Sequence, residues 1–122
     1  MSKGCIVVLG ATEKADRYAY MAMKRLLERG YPVVPVNPAF SEILGEQCYP
    51  SIGAVMEPID TVTMYVGAAR STPMIEEIIA AKTRRIIFNP GSENRELAEA
   101  AEAAGIEVVE GCTLVMLSTQ TF

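Results

Sequence analysis

Histidine and tryptophan are absent from these 122 residues, and cysteine occurs only three times. Without histidine there is no general base of the commonest kind, no metal ligand of the commonest kind, and no phosphohistidine chemistry. Cys5, Cys48 and Cys112 are odd in number and show no CxxC spacing, which argues against both a disulfide framework and a zinc site. No apolar run approaches the roughly 18 residues of a membrane span. Met1-Ser2-Lys3-Gly4 leads directly into an apolar run with no signal-peptide architecture, so a cytoplasmic location is expected. The net charge is −4 and no basic stripe is present, which excludes general nucleic-acid binding.

What is present is an ordinary globular composition, half apolar, on a chain long enough for one domain (1–122) with a real core. Apolar β-branched runs alternate with helical patterns, the signature of a parallel sheet covered on both faces. Residues 5–9 read as the first strand. A helix follows, with Ala19, Ala22, Met23, Leu26 and Leu27 on one face, and Gly30 caps its end. Val33–Val36 reads as the second strand, where Pro35 cannot donate to a ladder. A turn at 41–45, a minimal edge strand near Gln47–Tyr49 and a short helix near Ser51–Met56 come next. Residues 61–66 read as a strand, and Thr72-Pro73 reads as the start of a helix. Arg85–Phe88 is a further strand, followed by a helix capped by Ser92 and ended by Gly105. Ile106–Val109 is the last strand, and the tail 112–117 is apolar enough for a short helix. The expected fold is a Rossmann-like three-layer α/β sandwich with a mostly parallel sheet of five main strands plus a short edge strand.

The first strand runs straight into Gly10-Ala11-Thr12, the kind of small-residue turn that presents backbone N–H groups to a phosphate. It holds one glycine where a dinucleotide fingerprint holds three. The second strand ends in Val36-Asn37-Pro38, where an NAD site carries an acidic residue. Gly10 serves equally as a turn glycine, Thr12 as a cap of the next turn, and Asn37-Pro38 as a strand terminator. Lys14, Arg17 and Arg70, taken singly, read as solvated surface charges. Their joint placement in two loops of the expected crevice, on an acidic chain, points to a local anion site. Tyr18 and Tyr20 open the first helix, with partial burial the plainer reading for at least one of them. Cys112 has no neighbouring base and reads as a small packed residue. A β-branched side chain at Gly10 is expected to block a phosphate while leaving the fold intact.

The run Val7-Val8-Leu9-Gly10-Ala11-Thr12 with Lys14, Asp16-Arg17 and Tyr18 resembles the opening of the small stand-alone CoA-binding proteins. Tyr31-Pro32-Val33-Val34-Pro35-Val36-Asn37-Pro38, then Ile43-Leu44-Gly45-Glu46 and Tyr49-Pro50-Ser51-Ile52, match that family in the same order. These proteins are similar to the N-terminal CoA-binding domain of the succinyl-CoA synthetase α subunit. The resemblance implies that Gly10, Ala11 and Thr12 hold the CoA diphosphate, with Lys14, Arg17 and Tyr18 nearby. It implies that Val36, Asn37 and Pro38 flank the adenosine and that Val66 and Gly67 form the opposing wall, with Arg70 beyond. The synthetase's phosphohistidine belongs to its second domain, which has no counterpart in these 122 residues. Asn89-Pro90-Gly91 and the tail from Cys112 to Phe122 are less typical of the family.

The expected function is therefore non-catalytic binding of CoA or an acyl-CoA, as a sensor or as a subunit of a larger assembly. No catalytic or metal-binding residues are expected, and the protein partner, if any, is unidentified. An NAD(P)-linked redox-sensing or oxidoreductase module is the alternative, since an arginine can take the place of the acidic residue when the cofactor is NADP. A partner subunit supplying half an active site is a third reading.

Overall fold

A computed structural model describes residues 4–122; Met1–Lys3, read above as entering the first strand directly, lie outside the described residues. Strand β1 (Cys5–Leu9) is buried along its whole length, as its unbroken apolar run requires. The 11-residue helix α1 (Tyr18–Glu28) follows and turns into β2 (Val33–Val36) through Gly30, whose φ of +84° is the left-handed geometry of a helix cap. A small antiparallel hairpin, β3 (Glu42–Ile43) and β4 (Glu46–Gln47), and a single 3₁₀ turn (Ile52–Ala54) lead to β5 (Ile59–Met64). A broken helical stretch runs as α2 (Ala68–Ser71), a 3₁₀ turn (Thr72–Met74) and α3 (Ile75–Ala80). Then come β6 (Arg85–Phe88), α4 (Arg95–Ala103), β7 (Glu107–Glu110) and α5 (Thr113–Ser118).

The five-stranded sheet has the order β2-β1-β5-β6-β7, and every neighbouring pair is parallel. The winding of the chain across the sheet therefore reverses between β1 and β5, which opens a crevice at the carboxyl edge of those strands. Alternation along the strands divides the core between two faces. Cys5, Val7, Leu9, Val62, Met64, Ile86 and Phe88 pack with Ile78 of α3 and Leu97 and Ala101 of α4. Ile6 and Val8 pack on the opposite face with Ala19, Met23 and Leu26 of α1 and Leu117 of α5. Helices thus cover both faces of a parallel sheet, giving the three-layer Rossmann-like α/β fold.

Four local features differ from the sequence reading. The strand expected over 61–66 begins two residues earlier, at Ile59, and ends at Met64. Asp60 is tolerated inside it because Arg84 pairs with its carboxylate, Nε to Oδ1 at 2.8 Å. The helix expected to start at Thr72-Pro73 is instead capped by Gly67, and Pro73 sits in the 3₁₀ turn that interrupts the helical stretch. Ser92 does not cap α4: its hydroxyl donates to the Asn89 carbonyl at 2.7 Å, while Asn94 accepts from the Leu97 N–H at 3.1 Å. The edge strand is reduced to one parallel bridge between Val36 and Tyr49, beside the separate hairpin. Pro35 lies on that outer edge, where its carbonyl accepts from the Tyr49 N–H at 3.0 Å, and its missing donor breaks no ladder bond.

Two buried thiols make stability fall in alkali. Burial, with a lesser push from the Glu57 carboxylate, drives the Cys5 thiol up to about 12, and burial also raises Cys48 from 9.0. The folded chain keeps protons that the unfolded chain releases, so this stability is whole below the ordinary thiol range and is lost as pH rises from there toward about 12. The melting temperature is expected to drop steadily from about pH 9 upward. Cys5→Ala is expected to make that drop shallower, and an unchanged slope in the variant contradicts the assignment.

Candidate nucleotide site

The carboxyl ends of β1, β2 and β5 deliver their loops to the crevice. Gly10 turns the chain with φ +95°, and a Cβ placed there would lie 2.8 Å from Val66 Cγ1 and 3.0 Å from the Tyr65 carbonyl carbon. Glycine is therefore demanded by close packing of the turn on the end of β5. The N–H groups of Gly10 and Ala11 both donate to the Val36 carbonyl, at 3.0 and 3.3 Å. They stitch the first turn to the second strand and are already engaged. The donors that remain open belong to the first turn of α1. Its N-cap, Arg17, supplies no side-chain cap, and no acidic residue sits in that turn, so the first-turn N–H groups lack intrahelical partners and carry positive potential. Thr12 Oγ1 accepts from the Lys14 N–H at 3.2 Å, which leaves its O–H free to donate.

Asn37 fixes the second loop against the first. Its amide donates to the Ala11 carbonyl at 2.7 Å, and its Oδ1 accepts from the Ala39 N–H at 2.8 Å. The Asn37 side chain is thus a brace between the two loops. Beneath it Cys48 Sγ lies 3.5 Å from the Asn37 carbonyl.

Two cavities meet over this scaffold. A narrow cleft of about 90 Å³ is walled by Leu9, Val36, Pro38, Ile52, Val66 and Met74, with Ser51, Arg70 and Glu77 among its lining. A wider groove of about 430 Å³ is bordered by Thr12, Lys14, Arg17, Tyr18, Phe40, Tyr65 and Pro90. Gly10, Asn37 and Arg70 line both, so the apolar cleft opens into the polar groove. Among the described residues Lys14, Arg17 and Arg70 form no ion pair, whereas Arg25, Arg84 and Arg95 each do. Tyr18 is 69% exposed, while Tyr20 is half-buried outside the groove lining. Among the described residues the Tyr65 hydroxyl is buried without a hydrogen-bond partner, and burial pushes it up to about 12.

Ten of the twelve residues expected at the site line one cavity or the other: Gly10, Thr12, Lys14, Arg17, Tyr18, Val36, Asn37, Pro38, Val66 and Arg70. Ala11 is fully buried in the core of the α1 face, and Gly67 caps α2; neither lines a cavity. Sequence reading missed Pro50, Ser51, Ile52, Met74 and Glu77 of the cleft and Tyr65 of the groove, whereas Phe40 and Pro90 lie in the loops 37–40 and 89–92 expected to extend the crevice. The Tyr49-Pro50-Ser51-Ile52 match was the one signal that pointed toward the cleft wall. Cys112 is the N-cap of α5 and lines neither cavity.

An apolar slot continuous with a cationic groove at a strand switch point is the arrangement of Rossmann-like α/β proteins that hold a base and its phosphates. A family model described as a CoA binding domain matches residues 5–118, and the chain belongs to that family. It is 30% identical to acetate–CoA ligase (ADP-forming) I of Archaeoglobus fulgidus, over 94% of this chain but only 18% of the ligase. It is 27% identical to the uncharacterized protein YneT of Bacillus subtilis, over 85% of this chain and 77% of that protein. A crystal structure of an uncharacterized protein superposes with a TM-score of 0.92 at 42% identity, covering 100% of both chains. The chain thus spans less than a fifth of the ligase it matches and most of the small protein.

Proposed function

We propose that this chain binds CoA or an acyl-CoA without performing chemistry of its own, as a sensor or as one subunit of a larger assembly. The observation that carries the reading is the joining of the apolar cleft to the cationic groove at Gly10, Asn37 and Arg70, in a member of the CoA binding domain family. The base enters the cleft between Val36–Pro38 and Val66. The diphosphate lies in the groove, where Lys14, Arg17, Arg70, the Thr12 hydroxyl and the open end of α1 supply the donors and the positive potential. The non-catalytic part of the reading is supported by the residue types present. The chain has no histidine, and Cys112 lines neither cavity. The similarity to a small part of an ADP-forming acetate–CoA ligase allows the module to serve a larger enzyme, whose chemistry lies in segments this chain does not span. No helix among the described residues is long and apolar enough to cross a membrane. Three free cysteines fit a reducing, cytoplasmic setting.

The test is a thermal shift with CoA and with NAD at equal concentration. At 100 times its dissociation constant a ligand adds about 2.7 kcal/mol of stability, a rise on the order of several degrees for a domain of this size. CoA is expected to give that rise and NAD little. A larger shift with NAD places the dinucleotide reading first. Mass spectrometry of the natively purified protein checks the same point through any retained nucleotide.

A further inference from the structure

The narrow cleft holds one feature that an apolar slot does not need. Glu77, in the first turn of α3, lines it with a half-buried carboxylate that makes no hydrogen bond and no ion pair among the described residues. An acceptor-only carboxylate left unpartnered in the wall of a cleft invites a donor from elsewhere. The facing 3₁₀ turn makes room for it. A Cβ on Gly53 would come within 2.8 Å of Glu77 Oε2, so the carboxylate lies over the one position of that turn that has no side chain.

The other polar side chains of the cleft have different commitments. Asn37 is bonded to Ala11 and Ala39. Arg70 also lines the groove assigned to the phosphates. Ser51, the N-cap of the 3₁₀ turn, makes no side-chain hydrogen bond among the described residues and lines the same cleft as Glu77. The edge of a flat base held between Val36, Pro38, Val66 and Met74 therefore meets an acceptor-only group and a hydroxyl that can donate or accept. An ionised carboxylate has no use for a bare ring nitrogen; it requires an N–H.

Resting on the reading that an adenine nucleotide such as CoA occupies this crevice, we infer that Glu77 selects the base by accepting a hydrogen bond from its exocyclic amino group. Ser51 completes the edge by donating to an adjacent ring nitrogen. The cleft is then a reader of a 6-aminopurine and not merely a greasy slot. A site built around such a donor discriminates against an analogue that lacks it, because the analogue leaves the buried acceptor unpaired.

The experiment is a cycle between ligand and protein, read by titration calorimetry. The two probes are CoA and its analogue carrying unsubstituted purine, and the proteins are wild type, Glu77→Ala and Glu77→Gln. Wild type is expected to prefer CoA by about tenfold or more. Glu77→Ala is expected to bring the two probes within about twofold of each other. Glu77→Gln keeps a carbonyl acceptor and is expected to restore most of the preference, which a purely structural role does not explain. Melting curves without ligand show that each variant is folded, and if Glu77→Ala is not, the comparison of wild type with Glu77→Gln decides by whether the preference survives. Equal affinity of wild type for both probes, or an undiminished preference in folded Glu77→Ala, overturns the assignment of Glu77 and leaves CoA binding standing. Failure of wild type to bind either probe overturns both.

Discussion

Gly10→Val is expected to lower stability by about 3 kcal/mol or more and to abolish ligand binding with it. Two independent causes add. A β-branched residue does not adopt φ +95° without strain, since that angle lies beyond even the left-handed helical well. The new Cβ also arrives 2.8 Å from Val66 Cγ1 and 3.0 and 3.1 Å from the Tyr65 carbonyl carbon and oxygen. Val66 can swing its methyl groups aside, but the Tyr65 backbone follows directly on β5, the strand packed between β1 and β6, and cannot. The sequence suggested a variant that folds normally and only blocks a phosphate. The packing shows that the side chain meets the opposite wall of the crevice first. For a domain of this size the melting temperature is expected to fall by about 10 °C or more. A Gly10→Val protein that melts within a degree or two of wild type contradicts this account of the turn. Gly10→Ala meets the same backbone atoms without the branched methyls and is expected to fall between the two.

That correction illustrates which parts of the molecule could be read in advance. The bounds of β1 and β2 match the apolar runs because strands buried on both faces carry no polar interruption, and β6 matches with Arg85 at its first position. β5 was misplaced by two residues because Asp60 breaks its apolar run, and the Arg84 guanidinium that neutralises it is 24 residues away. The α4 cap was assigned to Ser92 and belongs to Asn94, two residues on, with Glu93 between them. Each side chain finds a local hydrogen bond, and only tertiary packing decides which of them faces the helix. Asn94 wins because its amide also donates to Ser71 and Thr72, joining α4 to the broken helix after β5. The cationic groove was legible because Lys14, Arg17 and Arg70 lie in the segments that follow the carboxyl ends of β1 and β5. The far wall of the cleft was not. Ser51 and Glu77 are 26 positions apart in chain order, and they line one cleft because the 3₁₀ turn Ile52–Ala54 packs against α3, where Gly53 lies under the Glu77 carboxylate. No local period encodes that meeting.

Asn89→Ala is expected to have the second large effect, from bonds rather than space. Asn89 follows β6 and is 2% exposed. Its amide donates to Thr63 Oγ1 at 2.7 Å and to the Met64 carbonyl at 2.9 Å, and its Oδ1 accepts from the Thr113 N–H at 2.8 Å. One side chain thereby joins β5 to the first turn of α5, while the Thr63 and Thr113 hydroxyls bond each other at 2.8 Å on the same face. Alanine leaves the Met64 carbonyl and the Thr113 N–H unpaired in the interior, at about 1–3 kcal/mol for each buried group. The sum is about 3 kcal/mol, a drop of about 10 °C or more in melting temperature. The damage is expected to be directional. Hydrogen exchange at Thr113 and along α5 is expected to accelerate well before that of β1, because the lost bonds are those that hold the helix to the sheet. The groove is expected to loosen with it, since Tyr65 follows directly on β5 and Pro90 follows directly on Asn89, and both line the groove. Weakened ligand binding together with selective exchange at α5 is the expected pair of results. Wild-type melting and uniform exchange in Asn89→Ala show instead that the side chain bridges nothing of consequence.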